Sequence, residues 1–236
     1  MKYIGIDGCK SGWFYVSLDE NDKFSFGVIS DISEIKNEIN NAEQALIDIP
    51  IGLRETDTRE RLCDLEARKV LGPRRSSVFP PPSRLALVFD DYNQASQINF
   101  QCTGRRLSKQ SFAIMKKINE VDEFIRNFGM QNKIREMHPE ICFWALNGNR
   151  PMEYNKKKVK GIRERTLLLK QQYDRTEELI SDAKKSFLRK DLAIDDIIDA
   201  IVGAVSLKYC INFWQLPNEP ETDDKGLKME IVYPAI

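Results

Sequence analysis

Three short segments carry acidic side chains where the chain is otherwise apolar. Ile4-Gly5-Ile6-Asp7-Gly8 ends an apolar run on a carboxylate, next to a residue that lets the chain turn. Leu46-Ile47-Asp48-Ile49-Pro50 interrupts a second apolar run with an aspartate, and Asp195-Asp196-Ile197-Ile198-Asp199-Ala200 opens a third. A carboxylate in apolar surroundings needs a partner. Several carboxylates brought close together repel unless a cation joins them. Asp7, Asp48, Asp196 and Asp199 are therefore candidate ligands for Mg²⁺ or Mn²⁺, and candidate catalytic residues. Paired ions about 3.5–4 Å apart activate a water and stabilise the leaving oxygen of a phosphodiester. The plainer alternatives are a turn cap at Asp7 and helix capping with favourable dipole placement at Asp195 and Asp196. They suit Asp48 and Asp199 less well.

Glu136-Met137-His138-Pro139-Glu140 is the next candidate segment. His138, the single histidine, and Glu140 could serve as proton shuttle or outer partner of such a site. Equally, Glu140 suits the first turn of a helix, and a lone histidine is often structural. Arg61 and the loop sequence Arg74-Arg75-Ser76-Ser77, which follows Gly72-Pro73, are candidates for gripping phosphates. Glu55, Asp57, Glu60, Asp64 and Glu66 are interleaved with this basic block, so a solvated helix face explains much of it. Two more basic runs, Arg105 to Lys117 and Lys156 to Arg165, read as charged helix surface.

The elements that must position these residues follow from periodicity. Lys2–Ile6, Gly12–Leu18 and Phe24–Ile29 read as an antiparallel meander, with turn chemistry at Asp19–Asp22. A short helix capped by Asp31 or Ser33 runs to about Asn40, and Ala45–Ile49 is a buried strand. Three strands, a helix and a strand match the start of an RNase H-like fold, in which the first and fourth strands lie side by side. The expected fold class is α/β, a mixed five-stranded sheet flanked by helices, with residues 1–236 as one domain. Residues 53–132, too long for a simple loop, are expected as a mostly helical insertion after the fourth strand, with helices at Thr58–Leu71, Tyr92–Phe100 and Lys109–Phe128. Lys133–Met137 is expected as a strand, followed by a helix opened by Pro139. Val159–Leu188 is expected as a long helix broken once, and Asp195–Tyr209 as a shorter apolar one. After Trp214 the chain reads as a Pro- and charge-rich tail ending in an edge strand, Lys228–Tyr233.

Composition sets the frame. The 236 residues are 42% hydrophobic and 31% charged, with a formal net charge of zero. Nucleic-acid binding must then come from a local patch rather than from overall charge. No apolar run is long enough for a membrane span, and the first residues read as a strand rather than a leader. The five cysteines (Cys9, Cys63, Cys102, Cys142, Cys210) are widely spaced without a CxxC, which supports neither a disulfide framework nor a zinc site. A reducing cytoplasm is the expected location, with each cysteine a small buried residue.

Five segments also resemble a known family: Gly5–Trp13 (GIDGCKSGW), Ile47–Leu53 (IDIPIGL), Arg61–Pro80 (RLCDLEARKVLGPRRSSVFP), Glu136–Phe143 (EMHPEICF) and Asp195–Ala200 (DDIIDA). They resemble the predicted RNase H-like nucleases grouped as domain of unknown function 429. The resemblance implies that fold and an acidic metal site, and no particular substrate. The leading expectation is a metal-dependent nuclease that hydrolyses phosphodiester bonds by a two-metal carboxylate mechanism. Nucleic acid of unspecified type is its partner, and a homodimer is left open. The alternatives are a non-catalytic nucleic-acid or protein-binding module on the same fold, and a phosphotransferase of the sugar-kinase and actin superfamily.

Overall fold

The computed structural model describes residues 1–235. In chain order its elements begin with strands β1 (Lys2–Cys9), β2 (Gly12–Asp19) and β3 (Phe24–Ile29), helix α1 (Lys36–Asn41) and strand β4 (Gln44–Ile47). Helices α2 (Leu62–Leu71), α3 (Tyr92–Thr103), α4 (Lys109–Ala113) and α5 (Met115–Phe128) follow. Strand β5 (Ile134–Glu136) leads into α6 (Pro139–Leu146), α7 (Val159–Gln172), α8 (Thr176–Ser186) and α9 (Ile194–Tyr209). Strands β6 (Asn212–Thr222) and β7 (Lys228–Ala235) close the chain and form a two-stranded sheet.

Two compact units are present. The first comprises Met1–Asp48, Asn132–Trp214 and the chain from Val232 onward; the second comprises Ile49–Gln131 and Gln215–Ile231. The first unit is built on a five-stranded sheet in the order β3-β2-β1-β4-β5. The β1-β2 and β2-β3 pairs are antiparallel, while β1-β4 and β4-β5 are parallel. The chain is thus an α/β protein with a mixed sheet flanked by helices, and β1 is the central strand.

Helix α9 covers this sheet at very close range. A Cβ built on Gly5 would lie 2.0 Å from the carbonyl oxygen of Ala200, and one on Gly203 would lie 3.1 Å from the Cα of Gly5. Glycine at both places lets backbone approach backbone. The apolar face of α9, including Ile197, Ile201 and Val205, is fully or almost fully buried.

The second unit holds α2 to α5, the helical segment expected after the fourth strand. Its interior is partly ionic. Buried Arg84 donates to Asp122 at 2.9 Å and also pairs with Asp223, whose Oδ2 accepts from the Leu53 amide at 2.8 Å.

Several boundaries differ from the sequence reading for local reasons. The helix expected from Thr58 starts at Leu62, because Asp57 Oδ1 turns the chain by accepting from the Arg59 amide at 2.9 Å and Arg61 is extended (φ −61°, ψ 133°). The Lys109–Phe128 helix is two helices, α4 and α5, interrupted at Ile114 (φ −105°, ψ 3°). The long helix from Val159 breaks once, at Tyr173, which is extended. The segment after Trp214 is a strand, β6, where an irregular tail was expected. Pro217 and Pro220 suit it, because a two-stranded sheet consists only of edges, where a missing N–H is tolerated. All five cysteines are free thiols; Cys9, Cys63 and Cys142 are buried, while Cys102 and Cys210 are partly exposed.

Candidate functional site

The register of the sheet places the first two aspartates. In the parallel β1-β4 pair, Gly5 lies opposite Leu46 and Ile6 opposite Ile47. The ladder extends one residue further, where the Asp48 amide donates to the Ile6 carbonyl at 3.0 Å. Asp7 and Asp48 are therefore neighbours at the strand ends. Side chains alternate along a strand, so Asp7 shares the face of Gly5, the face that α9 covers. Asp199 immediately precedes Ala200, the residue that meets Gly5. The glycine contact thus brings a helix carboxylate to the strand carboxylates.

The structure brings Asp7, Asp48 and Asp199 together, with Glu140 and His138 beside them. Asp7 and Asp48 lie within side-chain hydrogen-bonding reach of each other. Burial pushes the Asp7 carboxyl well above the usual carboxylate range, and the charges of Asp48 and Asp199 push it further. Burial also raises Asp48, against the pull of His138 and Lys156. Asp199 is 1% exposed and is raised to about 7, again chiefly by burial, with Lys156 opposing. Asp196 is more peripheral. Its Oδ2 caps α9 by accepting from the Ala193 amide at 3.1 Å, which is the capping role open to it from sequence.

Two cations complete the cluster, and both came from the basic run read as helix surface. That reading is corrected for them. Lys156 lies in the loop before α7, and its Nζ meets Asp199 Oδ2 at 2.5 Å. Arg165 of α7 is 1% exposed and donates from Nη2 to Glu140 Oε1 at 2.6 Å. One oxygen of Glu140 (Oε2) and one of Asp199 (Oδ1) are buried without a hydrogen-bond donor.

These oxygens have the hard-donor chemistry that Mg²⁺ and Mn²⁺ prefer. Their spacing does not fit an ion as they stand. Among the described residues, no group of three or more His, Cys, Asp or Glu side chains is placed to hold a metal. The Lys156 ammonium occupies the Asp199 oxygen instead.

The remaining candidates lie in the second unit. Arg74, Arg75, Ser76 and Ser77 form most of a short 3₁₀ turn, Gly72–Ser77; Arg75 and Ser76 are exposed, Arg74 and Ser77 half-buried. Arg61 is 2% exposed. Its guanidinium grips Asp64 with two bonds of 2.9 and 2.6 Å and reaches the carbonyls of Ile51 and Gly52. In this arrangement Arg61 organises the start of α2, and its fork is fully engaged within the protein.

No helix of the described residues is long and apolar enough to cross a membrane. No curated protein and no solved structure matches the chain. One family profile does match, over residues 5–221, a span that holds every element of the acidic cluster. The chain belongs to the family described as protein of unknown function (DUF429).

Proposed function

We propose that this protein is a divalent-ion-dependent hydrolase of phosphodiester bonds in nucleic acid, built on an RNase H-like sheet, with Asp7, Asp48 and Asp199 at its centre. The observation that carries this reading is the meeting of three carboxylates from the ends of β1 and β4 and from α9. Burial raises all three above their ordinary range. Such an arrangement costs stability, and groups perturbed in this way cluster at functional sites. In this reading Mg²⁺ or Mn²⁺ is the cofactor, which the carboxylates would have to close around, and His138 and Glu140 flank them; Arg74, Arg75, Ser76 and Ser77 are separate candidates for phosphate contacts. A panel of labelled single-stranded, double-stranded and branched DNA and RNA, incubated with Mg²⁺, Mn²⁺ or EDTA, tests it. Cleavage that needs a divalent ion and disappears in Asp7→Asn is expected. Absence of cleavage across the panel overturns it.

The second reading is a non-catalytic binding module. The Lys156–Asp199 ion pair favours it, because the cluster already contains a counter-ion of its own. It is distinguished by nucleic-acid binding that persists in EDTA without cleavage under any condition.

A further inference from the structure

The chain is neutral overall, but its charge is unevenly placed. Residues 156–194 run from the loop before α7 to the first residue of α9, all within the first unit. They hold twelve Lys and Arg against six Asp and Glu, so the rest of the chain carries an equal excess of acid. Most of the six acids are already engaged. Glu164 accepts from the Glu153 amide at 2.8 Å and from the Tyr154 amide at 3.1 Å. Glu177 pairs with Lys170 at 2.7 Å, Glu178 with Arg175 at 2.7 Å and Asp182 with Lys185 at 3.5 Å. Two cations turn inward: Lys156 to Asp199, and Arg165 to Glu140 and to the Tyr154 carbonyl at 3.1 Å. Lys157, Lys158, Lys184, Arg189 and Lys190 remain exposed, with no ion-pair partner among the described residues.

These cations border a groove of about 450 Å³ between α7, α8 and the start of α9. Its aliphatic lining comes from Ile162, Ile180 and Ile194, and Lys184 stands in its wall. Arg189 and Lys190 lie in the turn that leads from α8 into Ile194. Lys157 and Lys158 precede the first turn of α7, and the charge of Lys157 reaches Asp196. The basic surface therefore runs up to the helix that carries Asp199. Charges on a solvated helix face usually alternate in sign. Here like charges stand uncompensated, and a polyanion relieves their repulsion. We propose that this surface binds the phosphate backbone of nucleic acid without reading its sequence, and so presents the strand to the acidic cluster. This rests on nucleic acid being the partner, which both readings of the site share, and it needs no metal ion. Lysine suits the role, since it meets phosphate as a point charge. None of the described residues that line the groove is aromatic, so the groove offers no platform on which bases would stack.

The test is fluorescence anisotropy of labelled mixed-sequence DNA and RNA, single- and double-stranded, bound to the full chain in EDTA over a salt series. Two double variants are compared with wild type: Lys157→Glu with Lys158→Glu, and Lys184→Glu with Lys190→Glu. Lys2→Glu with Lys23→Glu, at exposed positions elsewhere in the first unit, makes the same change in net charge and serves as the control. Each test variant should lose about tenfold or more in affinity, and its slope of log affinity against log salt should flatten by about 1.4 for single strands or 1.8 for duplex. The control should stay close to wild type. A second measurement needs no variant. In wild type, acetylation of Lys157 and Lys184 by acetic anhydride, normalised to Lys2 and read by peptide mass spectrometry, should fall several-fold when nucleic acid is added. Unchanged affinity and slope in both test variants, an equal loss in the control, or binding with unchanged labelling overturns the surface and leaves the nucleic-acid reading standing. Polyglutamate of matched charge that competes as well as unlabelled DNA or RNA overturns nucleic acid as the occupant and assigns the surface to an acidic polypeptide. No binding of any nucleic acid by wild type overturns both.

Discussion

The backbone of Gly5 on β1 rests against the carbonyl of Ala200 on α9, with no room between them for a side chain: a Cβ on Gly5 would lie 2.0 Å from that oxygen. This contact sets the distance between the central strand and the helix that carries Asp199. The obstacle is backbone and cannot rotate away. Gly5→Ala is expected to lose stability at or beyond the upper end of the ~1–3 kcal/mol usual for overpacking. Urea unfolding measures it; wild-type stability in Gly5→Ala would show that the helix can back away freely.

Asp7→Asn separates a functional carboxylate from a structural one. Asp7 lies within side-chain hydrogen-bonding reach of Asp48, and an amide in its place can donate. The change also removes a carboxyl that burial and the like charges of Asp48, Asp199 and Asp196 hold above its ordinary range. Melts in EDTA are expected to show Asp7→Asn at least as stable as wild type, while the rise in Tm with excess Mn²⁺ disappears. At a hundredfold excess over the dissociation constant that rise corresponds to roughly 2.7 kcal/mol in wild type. A destabilised variant, together with a wild type indifferent to Mn²⁺, would mark Asp7 as a packing residue.

The acidic cluster also dictates a pH dependence. Asp199 is raised from 3.8 to about 7, and Asp7 and Asp48 are raised with it. Asp199 is faced by Lys156 from the loop, Asp48 from the end of β4 and Glu140 from α6. A carboxyl with a raised folded-state pKa binds more protons folded than unfolded in the interval between the two values. Its contribution is present below the unfolded value and lost as pH rises through the folded value. The metal-free protein is therefore expected to be more stable at pH 5 than at pH 8. The expected difference is ~1–2 kcal/mol, or a Tm drop of about 4 °C for a chain of this size. Melts in EDTA across this range check it; stability rising with pH would contradict it.

Arg165 and Glu140 form a buried pair 2.6 Å apart. Removing one member of such a pair is expected to cost about 3–5 kcal/mol, because the other charge stays buried. Arg165→Met should therefore be severely destabilised, and Arg165→Met with Glu140→Gln should recover part of the loss. A double-mutant cycle by denaturant unfolding measures the coupling. Additive losses would mean that Arg165 acts through its other partners, the carbonyls of Tyr154 and Gly161 and the Glu164 carboxylate.

Arg74→Ala with Arg75→Ala tests the proposed phosphate grip. If each arginine neutralises one phosphate of a duplex, the slope of log affinity against log salt should flatten by about 1.8. Fluorescence anisotropy over a salt series gives that slope; an unchanged slope and affinity assign the turn another role.

The aspartates were legible because each violates its surroundings. A carboxylate inside an apolar strand or on an apolar helix face has to be accounted for, and the strand order then says which ones meet. Lys156 carried no such signal. It sits among consecutive lysines, and composition cannot tell which of them turns inward; only the loop's bonds to Glu164 and Arg165 decide that. Arg61 shows the reverse. It reads as part of a phosphate-binding block, but Asp64 three residues later takes up its fork. Strand β6 was hidden by Pro217 and Pro220, which weigh against a strand except at an edge.

The position of α9 in the chain has a consequence for synthesis. β1 is made well before the helix that seals its face, which spans residues 194–209. The second unit likewise needs residues 215–231, whose Asp223 joins the buried Arg84. Neither unit can close while most of the chain is still being translated. The apolar face of the β1-β2-β4 sheet stays open to solvent for that whole interval. Such nascent chains aggregate readily and are natural clients for chaperones. A truncation before α9 would lengthen this exposure indefinitely, so nonsense variants that stop in this region should be found in the insoluble fraction or degraded, even though every residue of the central sheet is present.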